Sequence, residues 1–202
     1  MIPPPRRHVL KAAVRGTLLL IAVCATFVTA GSGLRAPQDS SGLPAPSAVV
    51  QPHVYVSLDP VPREREFEVA VQAEIARGFH VNSHTPSEMY LIPTTLTPNL
   101  PAGIRLDGTI YPPGQLEKFP FSPGEPLSVY TGRVTMRLKL SADAHAPLGA
   151  TAIRMTLRYQ ACNSTTCLPP VNLPVSVRLE MAAAGTQGRA AHPEIFGAAS
   201  AK

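Results

Sequence analysis

Two cysteines five positions apart, Cys162 and Cys167 in YQACNSTTCLPP, are the residues whose type and spacing point most directly to chemistry. A pair held this close can pass between dithiol and disulfide, because once one sulfur is attacked the other stands ready to resolve the mixed disulfide. The same pair is also consistent with a plain structural staple. In the chain-entropy model so small a loop contributes only about 2 kcal/mol, and a staple meant for stability would close a longer one. The residues alone leave both readings open. No Lys, Arg or His lies between the cysteines or directly beside them. Stabilisation of a thiolate must therefore come from backbone N–H groups or from residues distant in sequence.

Such chemistry depends on the compartment, and the N-terminus speaks to that. Arg6, Arg7, Lys11 and Arg15 precede the apolar run TLLLIAVCATFV, and small residues ending in VTA follow. This is the order of a signal peptide over 1–30, with Val28 and Ala30 at the specificity positions and a cut after Ala36 as the reserve. The run from Thr17 to Ala30 is shorter than the roughly 20 residues of a spanning helix, which favours removal over retention as an anchor. Cys24 sits inside that run after Val23, a poor site for lipidation. Removal takes four basic and no acidic residues, so the formal charge falls from +5 to +1 and two cysteines remain, in a compartment where they can be oxidised. The mature chain is expected to be exported and soluble.

The elements that must position the pair read as strands. Of the 202 residues, 45% are hydrophobic, enough for a core, while 15% charged against a usual figure of about 25% argues against a polyanion-binding surface. With 23 prolines, long helices are disfavoured. Segment 31–52 reads as a flexible leader and 181–202 as a flexible tail, both rich in small residues. Between them the apolar residues recur with period two. Val54, Val56 and Leu58 share a face, as do Phe67, Val69, Val71 and Ala73. So do Val134, Met136, Leu138 and Leu140, then Ile153, Met155, Leu157 and Tyr159, then Val171, Leu173, Val175, Val177 and Leu179. Shorter candidates lie at 79–81, 91–96 and 104–110. Seven or eight strands with Pro/Gly turns over 53–180 imply an all-β, immunoglobulin-like β-sandwich, with a barrel as the alternative. The cysteines then flank a hairpin-like turn between the strand ending at Tyr159 and the one starting near Val171.

With those residues in view, the sequence resembles the N-terminal periplasmic domain of DsbD, the bacterial thiol:disulfide interchange protein, and its stand-alone relatives. The resemblance rests on YQACNSTTCLPP with the following VNLPVSVRL, and on GFHVNSH, LIPTTLTPNLPAGI, YPPG and YTGRVTMRLKL upstream, over roughly residues 50 to 180. It implies a thiol-disulfide exchange domain, a protein-disulfide reductase or electron relay. Such a domain takes reducing equivalents from a membrane-embedded thiol reductant and passes them to thioredoxin-like periplasmic proteins, among them disulfide isomerases and cytochrome c maturation proteins. Cys162 and Cys167 match the family's redox cysteines, Cys167 as attacker of partner disulfides and Cys162 as resolver. No cofactor is implied. Family members shield the disulfide with a short loop bearing acidic residues and a phenylalanine. The comparable segment is 111–130, where Glu117, Phe119 and Phe121 are the candidates, and Tyr159 is expected in the core with its hydroxyl near the site. The best-known members have five residues between the cysteines and this sequence has four, a spacing of the stand-alone branch. The membrane electron-carrying and thioredoxin-like domains of DsbD are not among these 202 residues, so separate chains are expected to supply and receive electrons.

Other chemistries fare worse. His80 and His84 in HVNSH invite a metal reading, but a strand end and loop do not place i and i+4 on one face, and no metal site is expected. Neither a nucleophile elbow nor a dinucleotide or phosphate loop is present, and neither nucleic acid nor a small-molecule substrate is expected. The second class is a non-catalytic binding or assembly module with one structural disulfide, which would engage partners through an apolar face or exposed edge strands.

Overall fold

Period-two alternation becomes burial wherever one face of a strand meets a second sheet. The computed structural model of the chain describes residues 42–197. The expected signal segment 1–30 with Cys24, the leader as far as 41, and 198–202 lie outside the described residues. The strands run β1 (Val50–Val56), β2 (Leu58–Asp59), β3 (Val61–Pro62), β4 (Arg65–Ile75), β5 (His80–Asn82), β6 (Thr95–Asn99) and β7 (Ile104–Ile110). They continue through β8 (Gln115–Phe119), β9 (Ser122–Tyr130), β10 (Arg133–Ala142), β11 (Gly149–Tyr159), β12 (Ala161–Cys162), β13 (Val171–Ala182) and β14 (Arg189–Ala190), before a short helix α1 (Pro193–Phe196). Among the described residues no helix is long and apolar enough to cross a membrane.

Two four-stranded sheets, β1-β4-β10-β7 and β3-β13-β11-β6, form an immunoglobulin-like sandwich. Phe67, Val69, Val71, Met136, Leu138 and Leu140 from the first sheet share one buried cluster with Ile153, Met155, Leu157, Tyr159, Leu179 and Met181 from the second. Each such side chain contributes about 1.5–3 kcal/mol by leaving water. Neighbouring strands are antiparallel except for the short parallel pairing of β3 with β13.

A third sheet, β12-β5-β9-β8, carries the site. It grows from one end of the sandwich: β4 leads through 76–79 into β5, β9 leads through 131–132 into β10, and β11 leads through Gln160 into β12. The sequence does not announce the β8-β9 hairpin, because the prolines at 120, 123 and 126 interrupt any apolar alternation and mark the segment as turn. Conversely, strand structure expected over 91–96 starts only at Thr95, and 91–94 is loop. Gly114 lets this hairpin close on β5, since a Cβ there would lie 2.7 Å from the Ser83 Cβ and overlap the Ser128 hydroxyl.

Both ends of the sandwich depart from the expected boundaries. A 3-10 turn at Pro46–Ala48 and strand β1 from Val50 fall inside the segment read as leader, where Val49 and Val50 are buried. At the other end β13 runs on to Ala182, and β14 pairs with β2 through Arg189↔Asp59 and Ala190↔Leu58. His192 packs edge-on against Tyr55, with ring centroids 5.0 Å apart. These ends gain their structure from tertiary pairing that small, aperiodic residues do not advertise locally.

Candidate functional site

The cysteines sit where β11 spills into the third sheet. Cys162 ends β12, four residues turn the chain, and Cys167 returns opposite it as an isolated antiparallel bridge, with the two joined as a disulfide and their Cα atoms 3.9 Å apart. Asn163 organises the turn. Its Oδ1 accepts from the Thr165 N–H at 2.9 Å, the Thr165 hydroxyl at 3.0 Å and the Thr166 N–H at 2.8 Å, while its own N–H donates to the Thr166 carbonyl at 2.9 Å. An Asx side chain thus replaces backbone partners that a four-residue loop lacks. Beyond the turn the Leu168 N–H donates to the Ala161 carbonyl at 2.8 Å, and the Gln160 amide donates to the Leu168 carbonyl at 3.2 Å.

The two sulfur-bearing residues are not equivalent. Cys162 is 2% exposed, whereas Cys167 is exposed on the outer side of the turn. Cys162 pairs across the sheet with His80, and directly opposed residues of an antiparallel ladder project from the same face. His80 is 3% exposed. Its ring stacks on Phe119 at 4.1 Å and 22°, and Phe121 continues the stack at 5.2 Å from Phe119. Burial pushes the His80 imidazole down to about 4, so it is neutral at physiological pH. Its Nε2 is sealed from solvent without a hydrogen-bond partner. Beside it, Glu117, Phe119 and Ser164 line a groove along the sheet end.

A polar girdle locks β5 into place. The Thr94 hydroxyl donates to the Asn82 carbonyl at 2.6 Å, the Asn82 amide donates to the Ile92 carbonyl at 3.0 Å, and the Ser83 and Ser128 hydroxyls bond at 2.8 Å. Tyr130 donates to the Pro112 carbonyl at 2.8 Å, and Tyr111 accepts the Leu96 N–H at 2.8 Å. Burial raises both phenols above their ordinary value. Together these bonds fix the segments before and after β8.

Residues 47–178 match the family model described as thiol:disulfide interchange protein DsbD, N-terminal, a span of well over half the sequence. The chain belongs to the DsbD N-terminal family. That family is a periplasmic redox module, and the Cys162–Cys167 disulfide at this position gives the chain a redox-domain role. Among solved structures, the crystal structure of the Neisseria meningitidis DsbD N-terminal domain in the reduced form is 16% identical. It covers 76% of this chain and 98% of its own, with a TM-score of 0.43. No curated protein matches the chain.

The structure brings Glu117, Phe119 and Phe121, the candidates that the DsbD resemblance supplies, beside His80, the cross-strand neighbour of Cys162. Tyr159 serves the core: it is 1% exposed and its hydroxyl donates to the Pro46 carbonyl at 3.0 Å. Burial raises its phenol above the ordinary value. The two histidines weighed as metal ligands have separate partners. His84 stacks on Tyr111 at 3.6 Å with its Nδ1 3.1 Å from the Thr94 carbonyl, whereas His80 lies in the phenylalanine stack. Two contributors were missed. Asn163 carries a signal in the Asn-Ser-Thr run of an Asx turn. The adjacency of His80 to Cys162, 82 residues later, carries none.

Phe119→Ala tests the ring stack directly. Reduction of the disulfide by a small dithiol is expected to quicken about tenfold in stopped-flow measurements, since access governs exchange. An unchanged rate would show that Phe119 does not screen it.

Proposed function

We infer that the protein is a periplasmic thiol-disulfide exchange domain that carries reducing equivalents between a membrane-embedded thiol carrier and thioredoxin-like proteins, including those of cytochrome c maturation. The signal segment 1–30, cut after Ala30, delivers it there. One observation carries the reading beyond family membership: the disulfide is presented asymmetrically at a sheet end, Cys167 outward and Cys162 inward. Exchange needs a reachable sulfur, and the buried neighbour can then resolve the mixed disulfide from within.

A thiolate of the reduced carrier attacks the Cys167 sulfur, the intramolecular S–S bond breaks, and Cys162 leaves with the electron pair. The carrier's second thiolate then attacks its own sulfur in the mixed disulfide, so the carrier leaves oxidised and the domain holds two thiols. Toward an acceptor disulfide, Cys167 attacks as thiolate and Cys162 then displaces the acceptor, which leaves as a dithiol. Electrons and protons are conserved without a cofactor, and Glu117, Phe119 and Phe121 screen the bond between encounters.

The reduction potential tests this. Equilibration with a glutathione or thioredoxin couple is expected to give about −270 to −120 mV, within reach of thioredoxin-like proteins. A value below about −300 mV would assign the bond to a structural staple in a binding module.

A further inference from the structure

His80 is a buried titratable side chain that the exchange steps above leave unused. A buried polar nitrogen without a partner is uncommon and calls for a reason, and the Nε2 of His80 is one. The imidazole cannot find a partner by swinging outward, because Phe119 stacks on it and Phe121 lies beyond. In the disulfide the adjacent Cys162 sulfur has no hydrogen to offer. Once the disulfide opens, that sulfur is a thiol or a thiolate, and it is the cross-strand neighbour of the ring. The vacancy at Nε2 therefore matches a group that exists only in the reduced protein.

We propose that His80 is the proton acceptor of Cys162, taking the thiol proton when Cys162 resolves a mixed disulfide and holding the thiolate beside the imidazolium. This rests on the exchange reading given above. The S–H bond of Cys162 breaks and its proton passes to the imidazole. The freed thiolate attacks the Cys167 sulfur, forming the internal S–S bond and expelling the partner's sulfur as a thiolate. That thiolate, or water, then takes the proton back, so His80 ends neutral. In the opposite direction the attacking thiol of the carrier gives up its proton, the imidazole takes it, and Cys162 departs as a thiolate beside the imidazolium.

The surroundings suit a neutral acceptor. Desolvation keeps the imidazole uncharged in the disulfide form, and an adjacent thiolate is the charge that would favour its protonation. Glu117 reaches the same groove from β8, Glu74 and Arg77 from the end of β4 and the loop after it, and Arg133 from β10. Glu74 is engaged by Arg133 at 3.7 Å. Tyr130 of β9 opposes Val81, the neighbour of His80 whose side chain points to the other face.

Coupling of this kind is reciprocal: whatever the thiolate does to the imidazole, the imidazole does to the thiol. The test is an NMR titration of the His80 ring in the exported chain, oxidised and then fully reduced. The proton affinity of His80 is expected to rise at least about tenfold on reduction, a shift of one pH unit or more. A histidine retained only for packing titrates alike in both states, and that result would overturn the proposal. As a second reading, the pH profile of Cys162 alkylation in Cys167→Ala is expected to move up by about one unit when His80→Phe is added. An unmoved profile counts against the proposal, and if the double variant does not fold the titration of the unsubstituted protein decides. A domain that exchanges with partners while His80 titrates alike in both states refutes the role of His80 alone. A coupled pair in a domain that traps no partner upholds the link between His80 and Cys162 and overturns the exchange reading.

Discussion

Cys162→Ala is expected to hold thioredoxin-like proteins as stable mixed disulfides in the periplasm, and Cys167→Ala to hold none. The asymmetry follows from where the two residues sit. Cys167 is exposed on the turn, so its sulfur meets an incoming disulfide, whereas Cys162 is 2% exposed beside His80 and the phenylalanine stack. Without Cys162 the mixed disulfide loses its intramolecular resolver, whose effective concentration far exceeds that of any free thiol. Its lifetime should lengthen by at least about a thousandfold. Without Cys167 the remaining thiol is shielded, and capture fails at the first step. Both variants lose the same small loop closure, about 2 kcal/mol in the chain-entropy model. A difference between them therefore reports access and resolution rather than stability. Non-reducing electrophoresis of periplasmic extracts, followed by identification of the captured chains, reads the outcome. If neither variant captures a thioredoxin-like protein or a membrane reductant, the exchange function is lost. Capture by Cys167→Ala alone would reverse the assignment of attacker and resolver.

The long strands of the sandwich were legible because their chemistry is local. Ile153, Met155 and Leu157 on β11 alternate with the exposed Arg154, Thr156 and Arg158, and Phe67, Val69 and Val71 on β4 keep the same period although Ala70 between them is buried as well. The same alternation carries Tyr159 into the core, so its aromatic ring and hydroxyl are spent there and on Pro46. The β8-β9 hairpin obeys a different logic. Its prolines disguise it as a turn, and it is held by pairing with β5 and by the Ser83–Ser128 bond, both formed with residues more than thirty positions away. The site shows the same division. The cysteine pair is visible in twelve consecutive residues, and Glu117, Phe119 and Phe121 were reachable only through the family resemblance. His80 becomes meaningful only after the sheet has brought residues 80, 119 and 162 together, and no periodicity in the sequence encodes that meeting.

Acid is expected to weaken the disulfide form through His80 by about 3 kcal/mol between pH 7 and pH 4. In the folded protein the imidazole is depressed from 6.5 to about 4 by burial, while in the unfolded chain it keeps its ordinary value. Above pH 6.5 both states are neutral there and the full stability is present. As the pH falls below that, the unfolded chain takes up a proton that the folded protein refuses, and the balance shifts toward unfolding until the folded imidazole also protonates near pH 4. Urea unfolding of the oxidised protein and of His80→Phe at pH 7, 5.5 and 4 separates this contribution from that of the carboxylates, which both proteins share. The parent should lose about 3 kcal/mol more than the variant over that interval, with most of the divergence already present at pH 4.5. Parallel curves would mean that protons reach His80 in the folded state, and so that the ring stack does not seal it. At the alkaline edge the sign reverses. Tyr111, Tyr130 and Tyr159 are raised by burial, so their contribution is intact below pH 10 and is lost as the unfolded chain ionises first above it. The His80 share of the acid limb therefore belongs to the ring beside Cys162, and opening the stack with Phe119→Ala should remove that share while leaving the alkaline limb in place.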